Sequence, residues 1–101
     1  MTAYIVVEAN ISDAEKFAAY ARAVPGLVTQ FGGEYLVLGG EQQQLEGGKE
    51  GARTVIHRWP SLEAARAFWF SPEYEAIKTL RHGTGVFNVR LVQGMAEEVL
   101  T

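Results

Sequence analysis

Ala3-Tyr4-Ile5-Val6-Val7-Glu8-Ala9, with Ser12-Asp13-Ala14-Glu15 close behind it, sets the pattern of the chain. The first run is short, apolar and rich in β-branched residues, which favours a buried strand over a helix. The second is a capping box, in which the Ser12 hydroxyl accepts from the third helical N–H and Glu15 reaches back to the Ser12 N–H. Phe17, Tyr20, Ala21, Val24, Leu27, Val28 and Phe31 follow at steps of three and four, along one side of a helix. Pro25 lies inside that pattern. It removes a donor and crowds the carbonyl of Ala21, which predicts a kink or a restarted turn. Gly32-Gly33 then ends the helix, because either glycine can take the left-handed C′ position.

Outward from this β–α unit the pattern recurs. Glu34 to Gly39 reads as a second strand, with a bulge or bend at Gly39-Gly40. Gln42 to Glu46 is compatible with an extension of that strand. Gly47 to Gly51 reads as a hairpin loop, and Arg53 to Trp59 as a third strand running into Pro60. Ser61 caps a second helix through Leu62, Ala65, Phe68 and Trp69. Ser71-Pro72-Glu73 restarts it, with a cap, a proline at the first helical position and an acid in the first turn. Lys78, Arg81 and His82 suit the dipole at its C-terminal end, Gly83 stops it, and Val86 to Val92 is the fourth strand.

The order strand, helix, strand, strand, helix, strand predicts an α+β, ferredoxin-like βαββαβ domain. Residues 1–94 form the domain and 95–101 a tail. Four strands make one antiparallel sheet, its central pair excepted, with the helices on one face. Strands one and three are read as parallel neighbours in the centre, strand four beside one and strand two beside three. The face left bare carries Tyr4, Val6, Leu36, Leu38, Val86 and Val92. That surface is too apolar for water, and a twofold pair of sheets is the simplest cover, so a homodimer is expected.

Composition narrows the function. The chain has 101 residues, 48% apolar and 21% charged, with a net charge of −3, enough for one core. Lys and Arg are scattered rather than striped, which argues against nucleic acid. There is no cysteine, so disulfides, thiolate metal sites and cysteine nucleophiles are excluded. The apolar runs are too short to span a bilayer, and no signal peptide is recognisable at Met1, so no membrane partner and a cytoplasmic location are expected. His57 and His82 are the only histidines and have no ligand set at metal spacing, so no metal is predicted. No Gly-x-Gly-x-x-Gly joins a strand to a helix, and no cofactor is predicted.

Gly32-Gly33-Glu34-Tyr35-Leu36-Val37-Leu38-Gly39-Gly40, Trp59-Pro60-Ser61-Leu62-Glu63-Ala64-Ala65, Phe68-Trp69-Phe70-Ser71-Pro72-Glu73-Tyr74 and Leu80-Arg81 together resemble the domain-of-unknown-function family thirteen-thirty. The resemblance covers about residues 3 to 94 and is most specific at Ser71 to Tyr74. That family belongs to the dimeric α/β barrel superfamily, so the resemblance implies a subunit whose sheet packs on a second copy to form a barrel. The superfamily includes small cofactor-independent monooxygenases, lactone isomerases, haem-dependent enzymes and stress-induced proteins. The chain departs from the family at Leu38, Arg58 and Phe70, where Arg, Glu and a polar residue, often Asp, are usual. Roles that rest on those polar groups do not carry over.

Strand pleating sorts the polar side chains into two sets. Glu8, Arg58 and Asn88, with Glu34, are expected together at one end of the dimer face, either as a charged site or as ion pairs that fix register. His57, Tyr35 and Phe87 point towards the helices, near Trp69 and Tyr74 if the second helix crosses above them. An aromatic-walled cavity with one imidazole and one or two phenols is a plausible small-molecule pocket. There His57 is the candidate catalytic base, and Tyr35 or Tyr74 could orient a substrate oxygen. Three functions stay open: a cofactor-independent enzyme acting on a small oxygenated or aromatic compound, a non-catalytic small-ligand-binding or stress-related homodimer, and a structural module that only dimerises.

Overall fold

A computed structural model describes residues 1–48 and 52–96. Part of the 47–51 loop and residues 97–101 of the tail lie outside the described residues. Strand β1 (Ala3–Ile11) feeds helix α1 (Ala14–Gln30), and β2 (Glu34–Leu38) and β3 (Arg53–Trp59) follow. Helices α2 (Leu62–Trp69) and α3 (Pro72–Lys78) and a 3-10 turn (Thr79–Arg81) lead to β4 (Gly85–Gln93). The sheet order is β2-β3-β1-β4, the order expected for a ferredoxin-like domain.

Strand direction corrects the sequence reading. β1 and β3 are antiparallel rather than parallel, with Tyr4 opposite Arg58 and Glu8 opposite Thr54. The helical crossover returns the chain so that β2 runs with β1, and the β2–β3 connection then reverses it. Glu8 and Arg58 therefore share a face but sit at opposite ends. Glu8 lies beside Asn88 in register and 3.6 Å from Arg90, whereas Arg58 pairs with Glu34.

A β-bulge between Tyr35 and Val37 makes a second correction. Tyr35 pairs with His57, yet Val37 pairs with Ile56 and Leu38 with Val55. The extra residue shifts the pleat, so Leu38 turns from the open face to the helix side. No strand forms over residues 42–46. Gly39 and Gly40 both have positive φ, at 70° and 92°, which ends the extended run before the glutamines.

Helix α1 is capped by Asp13 rather than Ser12. The Asp13 carboxylate accepts from the Lys16 N–H at 3.0 Å. Ser12 is engaged elsewhere, because its N–H and that of Asp13 both donate to the Thr84 carbonyl, at 2.8 and 3.1 Å, and its hydroxyl donates there too. The helix continues through Pro25 without a break. Val24, Leu27 and Val28 are buried around it, and their packing holds the turn that the missing N–H weakens. At the C-terminus the Gly33 N–H donates to the Val28 carbonyl and the Gly32 N–H to that of Thr29, with Gly32 at φ 93°.

That terminus sets α1 against the sheet. A Cβ on Gly33 would lie 2.7 Å from the Trp59 ring, and Trp59 is almost wholly buried. We predict that Gly33→Ala lowers stability by roughly 1–3 kcal/mol through overpacking, read as a lower denaturant midpoint.

Ser61 and Ser71 cap the next two helices, accepting from the Ala64 and Tyr74 N–H groups, each at 3.0 Å. Ser71 also donates to the Phe68 carbonyl at 2.8 Å, which makes the junction between α2 and α3 rigid. The core joins Ile5, Val24, Leu27, Val28, Trp59, Ala65, Phe68 and Tyr74. Helix α2 lies directly on β1, β3 and β4, while α1 packs mainly on α3 and the 3-10 turn. Among the described residues all helices lie on one face and the other is left open, with Val37, Val86 and Val92 exposed there.

Candidate functional site

Because α1 leans on α3 rather than flat on the sheet, a cavity of about 120 Å³ remains beneath it. Its floor is three cross-strand rows on the helix side of the sheet. Tyr35, His57 and Ile5 form one, Leu38, Val55, Val7 and Val89 the next, and Arg53, Ala9 and Phe87 the last. The roof is Phe17, Tyr20, Ala21, Val24 and Pro25 of α1, and Phe68, Trp69 and Tyr74 make a side wall. Phe17 stacks on Phe87 at 5.9 Å, and Trp69 and Tyr74 sit 4.9 Å apart. Rigid rings hold the helix off the sheet, and the small Ala9 and Ala21 leave the space between.

His57 is 6% exposed, with the Tyr35 ring edge-on at 4.6 Å. Its Nδ1 is buried and has no hydrogen-bond partner among the described residues. Burial holds its pKa down to about 4, against an ordinary 6.5, so the ring is neutral at pH 7. The hydroxyls of Tyr20 and Tyr74 lie 2.9 Å apart. Burial, reinforced by Tyr74, lifts the pKa of Tyr20 well above its usual 10, and burial pushes Tyr35 up to about 12. Both stay protonated donors at neutral pH. The Arg81 guanidinium sits 4.4 Å from the Phe87 ring centre and 5.7 Å from that of Tyr20.

The structure places His57, Tyr35, Trp69, Tyr74 and Phe87 on this one cavity. The roof is α1, not the second helix, because α2 packs straight onto the strands. Glu8, Arg58 and Asn88 lie on the opposite face of the sheet, divided between its two ends by the antiparallel register. Among the contributors that sequence reading missed are Phe17, Tyr20 and Arg81. Phe17 and Tyr20 carry the spacing of a core stripe, which hides their place on a cavity. Arg81 reads fully as a cation suited to a helix end. Among the described residues no three His, Asp or Glu side chains gather to hold a metal ion, and no helix is long and apolar enough to cross a membrane.

Comparison with known proteins agrees with this architecture. The family described as Domain of unknown function (DUF1330) matches residues 2–95. A crystal structure of a protein of unknown function from Rhodopseudomonas palustris is similar, with a TM-score of 0.76 at 18% identity over 94% of this chain and 83% of that one. Its methylated form aligns with a TM-score of 0.74 at 16% identity, over 94% and 82%. A candidate antibiotic biosynthesis monooxygenase from Caulobacter crescentus CB15 aligns with a TM-score of 0.60 at 16% identity, over 94% of this chain and 91% of that one. At such identities the likeness is one of fold alone. No curated protein matches the chain in sequence.

Proposed function

The chain belongs to the DUF1330 family, and from the cavity beneath α1 we propose that it binds a small, mostly apolar, oxygenated compound, with His57 as the proton acceptor of a cofactor-independent reaction. The observation that carries this is an unpartnered, neutral imidazole on a cavity whose lining is mostly apolar and aromatic, with Arg53 and Arg81 as its charged residues. A buried polar atom left without a partner costs free energy, and an incoming hydroxyl or acidic C–H group would supply one. The imidazole takes the substrate proton and leaves an enolate or phenolate. Imidazolium is disfavoured in this cavity, so the new anion has to stay beside it as an ion pair. The Tyr35 phenol, whose ring lies edge-on to His57, is a donor suited to the developing oxyanion. Returning the proton to another carbon completes an isomerisation. With dioxygen as the oxidant, the same anion adds O2 at carbon to give a hydroperoxide, which loses water and leaves one oxygen on a substrate oxidised to the carbonyl; the Caulobacter protein carries the name monooxygenase.

A panel of small phenols and lactones followed by absorbance tests this reading. For any compound turned over, His57→Gln is expected to lower kcat at least a hundredfold with a modest change in KM. Unchanged turnover would remove His57 from the chemistry. The low basicity of His57 favours a second reading, a non-catalytic binding module. That reading predicts saturable binding with no turnover across the panel.

We also propose that two copies pack their open sheet faces together as a homodimer. What supports this is the exposed apolar set Val37, Val86 and Val92 on a face that no helix among the described residues covers.

A further inference from the structure

The polar groups at the Phe87 end of the cavity carry information about the ligand that His57 does not. Arg81 has a buried Nε with no hydrogen-bond partner among the described residues. Its guanidinium is held over the faces of Phe87 and Tyr20, a contact that fixes its plane without using any of its N–H donors. A guanidinium whose buried edge lacks an acceptor is costly, and an anionic oxygen is its strongest complement. Arg53 and Arg81 both border the cavity, and no Asp or Glu among the described residues does. The paired hydroxyls of Tyr20 and Tyr74 add to this. One donates to the other, which leaves the second proton free for a ligand oxygen.

Resting on the reading of this cavity as a small-molecule site, we propose that its occupant is a small acid with an apolar body, its carboxylate held by Arg81 and the Tyr20–Tyr74 hydroxyl pair. The rest of the lining (Ile5, Val7, Val55, Phe68, Val89) takes the body. A cavity of about 120 Å³ is somewhat smaller than the roughly 150 Å³ apolar cavity that accepts benzene, so it limits the buried body to a short chain or at most one ring.

Calorimetric titration of the whole chain at pH 7 with benzoate and with benzyl alcohol tests this, because the two share a body and differ in charge. Benzoate is expected to bind about tenfold tighter or better, the usual scale of one charged hydrogen bond. Arg81→Met, which keeps an apolar stem over Phe87, is expected to erase that advantage and leave benzyl alcohol within threefold. Ala9→Leu, which fills the floor, should weaken both. Equal binding of the two probes, both lost in Ala9→Leu, would overturn the carboxylate assignment and leave the cavity reading standing. Binding of neither at millimolar concentration would remove both. Benzoate binding that survives Ala9→Leu would place the anion elsewhere and overturn the proposal. The comparison in the unmodified protein needs no variant, so a misfolded Arg81→Met does not block it, and Arg81→Lys with a smaller loss is the alternative.

Discussion

Ile56→Asp is expected to split the proposed homodimer into folded monomers. Ile56 lies mid-strand on the open face, with Val6 directly opposite on β1 and Val37 on β2. In a single copy a carboxylate there still reaches water, because Ile56 is only partly buried, so the fold should survive. Between two sheets it would be desolvated beside Val6 and Val37, and the neighbouring cation on that face, Arg58, is already paired with Glu34. An uncompensated buried charge costs on the order of 3–5 kcal/mol, enough to move dissociation by more than a hundredfold. Val6 is the less decisive position, since Arg90 stands opposite it and could neutralise a new acid. Light scattering should give twice the chain mass for the parent and the chain mass for the variant, with unchanged circular dichroism. A variant that remains dimeric would show that this face is not the interface.

The second large effect is a loss of stability in mild acid. The His57 pKa is about 4 in the folded chain and near 6.5 when exposed. Above pH 6.5 neither state carries the proton, and the full stability is present. As the pH falls from 6.5 towards 4 the unfolded chain takes up a proton that the native state refuses, so stability drops, and below 4 this contribution levels off. The shift corresponds to about 3 kcal/mol across the window. Denaturant midpoints measured from pH 7 to 4 should fall more steeply for the parent chain than for His57→Gln, and the difference isolates the imidazole from the carboxylates that titrate alongside. Parallel curves would mean that His57 is not held neutral in the native state.

These two expectations use different parts of what the residues reveal. Local chemistry was legible: the Ser61 and Ser71 caps, Pro72 at the start of α3, the Gly32-Gly33 stop and the alternation of Val55, His57 and Trp59 all follow from short-range rules. The sheet order also followed, because few topologies satisfy the connection rules. The parallel reading of β1 and β3 failed against the chain's own connections, since a crossover followed by a reversal makes them antiparallel; two other misreadings depend on contacts distant in sequence or on a bulge. Ser12 and Asp13 are equally good caps until Thr84, 72 residues after Ser12, offers its carbonyl to the first. Leu38 alternates correctly until the bulge at Tyr35–Val37 shifts its face, and no residue type there announces it.

The cavity was half legible for the same reason. His57, Tyr35 and Phe87 lie on strands, where the pleat alone decides the face. Tyr20 and Arg81 belong to elements whose tilt over the sheet comes from aromatic packing between Phe17, Phe87, Tyr20 and Tyr74. A stripe of large rings predicts burial, but whether the rings meet or prop their helix apart depends on how α1 lies on α3.

Crystals soaked with phenol and with δ-valerolactone at saturating concentration probe the cavity itself. Density for one of them is expected between α1 and the β1–β3 floor, with an oxygen within hydrogen-bond distance of His57 or of the tyrosine hydroxyls. An α1 closed down on Val7 and Ala9 with no room beneath it, or density only on the far side of the sheet, would contradict it.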